Sequence, residues 1–395
     1  MLPLQGIKVL DMTRVLSGPF SSMILSDFGA DVVKIEAPNG GDDTRAYPPF
    51  QNDQSAYFMS INRNKKSVTV DTRKPEGVAL VKELVPHFDV IIENFKPGTM
   101  DKIGLGYEVL KEINPKLIYV AISGYGHSGP WSTRPAYDAI VQAAGGIMSI
   151  TGKEPGDYTR VGASIGDITA GLFATIGALL AILERIHTGK GDKVDVAMLD
   201  SQVAILENAI ARYYVNGEIP QPRGNRHASI TPFDDFQCQD GEKVMIAIGN
   251  DRLWAKFAKV AQHEELIDHE KYNTNPKRTE NYGELRPLLE TIFKEHDAQW
   301  WYDHLVAANV PITFINTIDR VVENEQIKAR NMIVTANKEG VGPFKLADTP
   351  IKMDNVEGGF KTPAPFLGED TDTILQEILG KTTQELQELR EKEII

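Results

Sequence analysis

Between Gly6 and Ile122, short apolar runs alternate with helix-length segments, and this alternation constrains the fold more than any other feature of the chain. The runs Gly6 to Met12, Ala30 to Glu36, Ser67 to Asp71, Asp89 to Asn94 and Leu117 to Ile122 have the length and composition of strands. Gly18-Pro19 opens a helix across Phe20 to Phe28, and Pro75-Glu76-Gly77 leads another that ends near His87. Strands separated by helices imply a parallel sheet covered on both faces, a doubly wound α/β domain. Such sheets bind ligands at the carboxyl ends of their strands. Those ends carry Thr13-Arg14-Val15, Asp71-Thr72-Arg73, Asn94-Phe95-Lys96-Pro97-Gly98 and Ser123-Gly124-Tyr125-Gly126. The first turn reads Leu16-Ser17-Gly18-Pro19, without the G-x-G-x-x-G pattern that lets backbone approach a pyrophosphate, which disfavours a nicotinamide dehydrogenase.

A second stretch, Arg160 to Glu184, delivers one carboxylate to the start of a long apolar segment. Gly162-Ala163-Ser164-Ile165-Gly166 is rich in turn formers. Asp167 follows, then Ile168 to Leu183 without a charge. The length favours a buried helix over a strand, and Gly171 and Gly177 argue against a bilayer span. Asp167 is therefore expected at or just before the first helical turn, where free N–H groups and the helix dipole favour an anion. Two roles fit it: a helix N-cap, or a carboxylate nucleophile held in a dry site.

The rest of the chain sets the frame. Its 395 residues suit about two domains. Val194 to Met198 alternates like a strand and Asp200 to Val215 reads as a helix. Pro220, Pro222, Gly224, Asn225 and Pro232 mark a linker. The expected division is a large domain over residues 1–218, a smaller α+β domain over 219–325, and a return to the large domain over 326–395. In the smaller domain Val244 to Gly249 is an expected strand, with helices at Leu253 to Ala261 and Tyr282 to Lys294. Pro311 to Glu325 reads as extended, and Thr371 to Lys392 as one charged helix. The net charge of −13 argues against a general nucleic-acid or anionic-membrane surface. A single cysteine, Cys238, excludes an intrachain disulfide and suits a reducing cytoplasm. The first residues lack a basic start with a long apolar core, so neither a signal peptide nor a membrane span is expected.

Several polar groups could carry chemistry. Arg63, Lys65, Lys66, Arg73, Lys74, Lys96 and Lys102 concentrate positive charge in the first domain, either as a solvated face or as a phosphate-binding rim. His127 could act as an acid–base group or simply pack its ring, and His227 lies in the turn-rich linker. Neither has a Cys, Asp or Glu at metal-ligand spacing, so no metal is expected. There is no G-x-S-x-G elbow and no G-x-x-x-x-G-K loop.

In order along nearly the whole chain stand Gly6 to Asp11, Gly29 to Glu36, Gly41-Asp42-Asp43-Thr44-Arg45, Glu93 to Gly98, Gly124-Tyr125-Gly126, Tyr137-Asp138, Gly166-Asp167, Arg223-Gly224-Asn225-Arg226-His227 and Leu367-Gly368-Glu369. Together they resemble the family III CoA-transferases, a group that includes formyl-CoA transferases and alpha-methylacyl-CoA racemases. The resemblance implies a Rossmann-like large domain, a small domain and an interlocked homodimer. It implies that Asp167 is the nucleophile, exchanging an acyl group with CoA through a mixed anhydride and an aspartyl-CoA thioester. CoA and an acyl-CoA enter as substrates, with no tightly bound cofactor. The family's CoA contacts fall on Val15, Leu16, Ser17, Val70, Arg73, Asn94, Phe95 and Lys102. Some relatives place an arginine after the second strand, where this chain has Ala37-Pro38. The racemases carry a histidine where this chain has Tyr137 and a glutamate in the small domain near Gly249-Asn250-Asp251. The transferase reading follows, with Tyr137 and Asp138 shaping the site. The motif combination looks nearest to members that handle small dicarboxylic acids, with Arg45, Arg226 and His227 as candidate partners of a second carboxylate. The glycine run of oxalate-degrading formyl-CoA transferases is missing from the linker.

Overall fold

The computed structural model describes all 395 residues. The chain forms two compact units, one of residues 1–147, 160–211 and 325–395, the other of 148–159 and 212–324. The short excursion 148–159 lies outside the expected division, although Gly152, Pro155 and Gly156 mark a turn there.

The larger unit is built on strands β1 (Lys8–Asp11), β2 (Asp31–Glu36), β3 (Lys65–Thr69), β4 (Val90–Glu93), β5 (Ile118–Ser123) and β6 (Lys193–Ala197). All pair in parallel, in the order β3-β2-β1-β4-β5-β6. Every residue of β4 and β5 is buried, which is why these strands read as unbroken apolar runs. The order reverses between β1 and β4, so the crevice at their carboxyl ends is the place where a sheet of this kind takes a ligand.

Helices α1 (Ser17–Asp27), α2 (Pro75–Leu84), α3 (Asp138–Ala144), α4 (Ile165–Thr188) and α5 (Met198–Ala204) cover the sheet or pack beside it. The run expected as one helix from Asp200 to Val215 is interrupted: α5 ends, Glu207 takes a left-handed φ of 57°, and α6 (Asn208–Asn216) begins. Helix α4 packs closely against α1 through small residues. A Cβ added to Gly171 would stand 2.7 Å from the Ser17 carbonyl oxygen, and Thr175 Oγ1 lies 3.0 Å from Ser21 Oγ. Only that face is buried. Leu172, Phe173, Ile176, Leu180, Leu183 and Ile186 are exposed along the opposite side, against the expectation of a fully buried helix. By length and apolar content α4 could cross a membrane, but half of its most apolar window is packed inside the unit. Its uniform apolarity concealed this two-sidedness, because no polar stripe marks the uncovered face.

The smaller unit has strands β7 (Phe233–Gln237), β8 (Lys243–Ala247) and β9 (Ile312–Phe314), antiparallel in the order β9-β8-β7. They pack on α7 (Asp251–Val260), α8 (Tyr282–Phe293) and α9 (Ala298–Ala307) around stacked Phe236, Trp254, Phe257, Phe293 and Trp301. After β9 the chain is not extended to Glu325 as expected, since Ile318–Glu323 is helical. In the returning segment a hairpin, β10 (Ile333–Lys338) with β11 (Gly342–Ala347), was not legible because its strands are half exposed and weakly alternating. The single C-terminal helix expected from Thr371 is two, α10 (Thr371–Leu379) and α11 (Thr383–Glu391). Gly380 at φ 66° ends the first and Thr382 and Glu385 form a capping box for the second.

Replacing Gly171 by alanine should force α1 away from α4. We expect Gly171→Ala to lower the thermal midpoint by roughly 2–8 °C, from an overpacking cost of about 1–3 kcal/mol. Gly162→Ala, where an added Cβ meets nothing within 4 Å, should change it little. Equal midpoints for both variants would contradict the packing described.

Candidate active site at the start of helix α4

Asp167 is the third residue of α4, three places after Ser164, which occupies the N-cap position. The N-cap reading of Asp167 is thereby corrected: the helix begins at Ile165, inside the stretch whose composition reads as a loop, and Asp167 falls in its first turn. The Gly166 N–H in this first turn is taken by Asp138 Oδ1 at 2.8 Å. Asp138 Oδ2 accepts from Gln142 Nε2 at 2.7 Å, and Gln142 Oε1 accepts the Val161 N–H at 2.8 Å. Gln142 is fully buried, so these bonds fix the loop before Asp167 against α3. Tyr137, directly before Asp138, is 80% exposed and makes no such contact.

Burial pushes the Asp167 carboxyl up to about 6; the negative charge of Asp138 adds to the shift and a hydrogen bond from Ser17 opposes it. The group is therefore mainly ionised above neutrality, but less firmly than a carboxylate in water. Tyr57, from the short helix Ala56–Ile61, shares a small apolar cluster with Val15, Leu16 and Ile168. Its hydroxyl is pushed up to about 12 by burial and then by the charge of Asp167, so it stays a neutral hydrogen-bond donor. Neither Tyr57 nor the Ser17–Asp167 bond is signalled by local sequence; both arise where α1, the 56–61 helix and α4 converge.

The loop after β1 is held with unusual thoroughness. Val15 is β-branched yet sits at φ 64°, a left-handed conformation that its neighbours must enforce. Asp42 Oδ1 accepts the Val15 N–H at 3.1 Å, and Asn94 both accepts from the Arg14 N–H at 2.9 Å and donates to the Arg14 carbonyl at 2.7 Å. Asn94 Nδ2 also reaches Ser17 Oγ at 3.3 Å. Beneath the loop Lys34 Nζ donates to the Thr13 carbonyl at 2.6 Å and pairs with Asp42 at 3.0 Å, while Lys65 pairs with Asp11 at 3.0 Å, all four side chains having no exposure. Burial raises a lone carboxyl, yet Lys65 and Lys34 together hold Asp11 well below the usual carboxylate range. For Lys65 burial dominates and draws its ammonium down to about 8.

Several expected ligands of an anion are committed within the chain. Arg45 grips Glu36 through two bonds of 2.7 and 2.6 Å and lies 3.6 Å over the Phe58 ring, so its role is to fix the Gly41 to Arg45 loop. Arg63 grips Asp27 at 2.8 and 2.6 Å and is buried, and Lys65 belongs to the Asp11 pair; neither joins an exposed phosphate rim. Lys66 meets Asp31 at 2.7 Å and Lys74 meets Glu393 at 3.3 Å on the surface. Arg73 bonds Asp71 at 2.8 Å but stays largely exposed, and Lys96 and Lys102 are exposed.

A cleft of about 210 Å³ opens at the carboxyl ends of β1 to β4, and Val70, Arg73, Phe95, Arg14 and Ala37 line it. Of the residues expected to meet CoA, Val70, Arg73 and Phe95 thus face one cleft. Val15, Leu16, Ser17 and Asn94 form the loop that reaches Asp167, and Lys102 ends the helix Thr99–Lys102. In the smaller unit His227 Nδ1 accepts two backbone N–H groups, from Ser229 and Ile230, both at 3.1 Å, which makes it a loop organiser. Arg226 stacks 3.8 Å over Tyr282 and reaches the Thr279 carbonyl at 3.4 Å, while its buried Nε has no partner.

A parallel sheet with this strand order, a partly desolvated carboxylate at a helix start and a cleft at the switch point together define an α/β enzyme of group-transfer type. The model of CoA-transferase family III matches residues 4–371. Succinyl-CoA:glutarate CoA-transferase of Mus musculus is 40% identical over 380 residues, 96% of this chain and 87% of that protein. Acetyl-CoA:oxalate CoA-transferase of Acetobacter aceti is 38% identical, over 95% of both chains. A CAIB/BAIF family protein from Brucella suis has a crystal structure that superposes with a TM-score of 0.85 at 38% identity, covering 95% of this chain and 99% of that one. The chain belongs to the family III CoA-transferases.

The raised Asp167 carboxyl has a sign that can be checked. Between the ordinary value of 3.8 and about 6 the folded protein binds more protons at this group than the unfolded chain, so stability falls as pH rises through that window. Asp167→Asn should therefore raise the thermal midpoint at pH 7.5 and leave it nearly unchanged at pH 4. Asp138→Asn, which keeps an acceptor for Gly166, should lower the Asp167 midpoint. Proton titration by NMR or a pH series of melting curves measures both, and a destabilised Asp167→Asn protein at pH 7.5 would contradict the assignment.

Proposed function

We propose that this enzyme moves CoA from an acyl-CoA donor to a small dicarboxylic acid, with Asp167 acylated within each half-reaction and carrying CoA as an aspartyl thioester between them. The Asp167 carboxylate attacks the thioester carbonyl, the C–S bond breaks, and the CoA thiolate leaves an acyl-aspartyl anhydride. The thiolate then attacks the Asp167 acyl carbon, which forms the aspartyl-CoA thioester and releases the donor acid. An acceptor carboxylate displaces the thiolate to form a new anhydride. Thiolate attack on the acceptor's acyl carbon gives the product thioester and restores Asp167. No electrons change hands, so the cycle calls for no redox group, and acyl activation resides in the thioester itself.

The observation that carries this reading is a carboxylate desolvated at a helix start, with Ser17 on it and Tyr57 beside it as a neutral donor. A carboxylate with fewer bound waters and a higher proton affinity attacks an acyl carbon more readily than one in bulk water. The relatives named for glutarate and oxalate transfer support a dicarboxylic acceptor. Arg45 and His227, expected as partners of a second carboxylate, are committed within the chain. An epimerase reading lacks its second base: Asn250 Oδ1 accepts the Leu253 N–H and caps α7. We also infer that a second copy covers the apolar stripe of α4 in a homodimer, since a stripe this long on a water-exposed helix favours burial. The reaction belongs in the cytoplasm, where CoA thioesters and a reduced Cys238 coexist.

Asp167→Ala should lose transfer activity by at least about 10³-fold, as nucleophile removal does, in a panel that offers acetyl- and succinyl-CoA against oxalate, succinate and glutarate. Wild-type turnover with saturating substrates should rise with pH through about 6, following ionisation of Asp167. Full turnover by Asp167→Ala would end this reading.

A further inference from the structure

Glu93 ends β4 with its carboxylate turned into a buried polar cluster that the transfer steps do not use. Its Oε2 accepts the Phe95 N–H at 2.8 Å, which closes the Glu93-Asn94-Phe95 corner. Its Oε1 meets Tyr119 Oη at 3.4 Å and faces His127 Nε2 at 3.8 Å. His127 Nδ1 lies 3.2 Å from the Lys193 ammonium, a donor, so Nδ1 accepts and the proton sits on Nε2, which has no partner within hydrogen-bond reach. Asp195 accepts the His127 backbone N–H at 2.9 Å, and Asp101 adds a negative charge from the Thr99–Lys102 helix. Tyr107 packs edge-on against Tyr119 and closes the remaining side. The corner held by Glu93 is the one whose Asn94 binds both backbone groups of Arg14 and touches Ser17, and Ser17 bonds Asp167.

We propose that Glu93 is a positioning residue for CoA: its ionised carboxylate sets the Asn94–Phe95 corner, and through Asn94 the Arg14–Ser17 loop. This rests on the CoA-transferase reading of the same cleft. A carboxylate accepts an N–H roughly twice as strongly as a neutral carboxyl, so proton uptake at Glu93 slackens the corner. Burial pushes Glu93 up to about 7, so this uptake falls within the working pH range; Lys193 opposes the shift and Asp101 adds to it. Loss of the charge acts on CoA affinity, whereas the Asp167 carboxylate acts on the chemical step.

Free CoA binding, followed by calorimetry between pH 6 and 8, separates this from the acyl chemistry because no thioester is needed. For the wild-type enzyme we expect affinity to weaken about tenfold as pH falls through about 7. Glu93→Gln should show the weak affinity at every pH. Glu93→Asp should restore part of the pH dependence. Lys193→Gln, an alteration at the edge of the cluster, should move the midpoint upward and keeps the test available if Glu93→Gln fails to fold. A CoA affinity that is flat with pH in the wild type, or a midpoint indifferent to Lys193→Gln, overturns the proposal. Failure of the Asp167 reading would appear separately, as transfer that survives Asp167→Ala with CoA binding intact.

Discussion

The site depends on one electrostatic compromise, the carboxylate of Asp167 kept ionisable in a partly dry place. Two influences raise it, burial and the neighbouring charge of Asp138, and two favour its anion, the Ser17 hydrogen bond and the N-terminus of α4. Stronger stabilisation would leave a poor nucleophile; weaker stabilisation would leave a protonated acid. The backbone around Asp167 is immobilised by groups that never touch it directly, Asp138 on Gly166 and Gln142 on Val161.

The opposite wall of the site is equally constrained. A strained Val15 is tolerable because Asp42, Asn94 and Lys34 hold the strands of backbone on either side of it. Asp42 and Lys34 in turn belong to a buried row of alternating charges, Asp42, Lys34, Asp11 and Lys65. Such a row is a poor source of stability, since desolvation offsets its attraction. Its value is geometric: removal of any one charge would leave another buried and unpaired, so the loop has one arrangement.

The parallel sheet was legible in the sequence because β4 and β5 are buried throughout and read as continuous apolar runs, Val90 to Ile92 and Ile118 to Ile122, set between helix-length segments. Asp167 was legible as a position, being the single carboxylate before a long uncharged run, although its place inside the helix was not. What escaped was anything decided by a partner distant in sequence. Arg45, Arg63 and Lys65 read as free cations until Glu36, Asp27 and Asp11 claim them. Tyr57 carries no local motif and matters only because its helix meets α4. The uncovered side of α4 could not be told from its covered side, since both are apolar and only the size of the residues differs: Gly171, Ala174 and Ala178 inward, Phe173, Ile176 and Leu180 outward. The break at Glu207 shows the same limit, lying in a segment whose composition remains helical on both sides, whereas Gly380 followed by Thr382 and Glu385 spells a helix stop and a helix start in the sequence itself.

The central claim is that Asp167 itself becomes acylated. Incubation with acyl-CoA and hydroxylamine, followed by peptide mass spectrometry, reads this directly. The account predicts a hydroxamate on the Asp167 side chain that requires acyl-CoA and is absent from an Asp167→Asn protein. An unmodified Asp167 under conditions of active turnover, or a hydroxamate on another carboxylate, would contradict it.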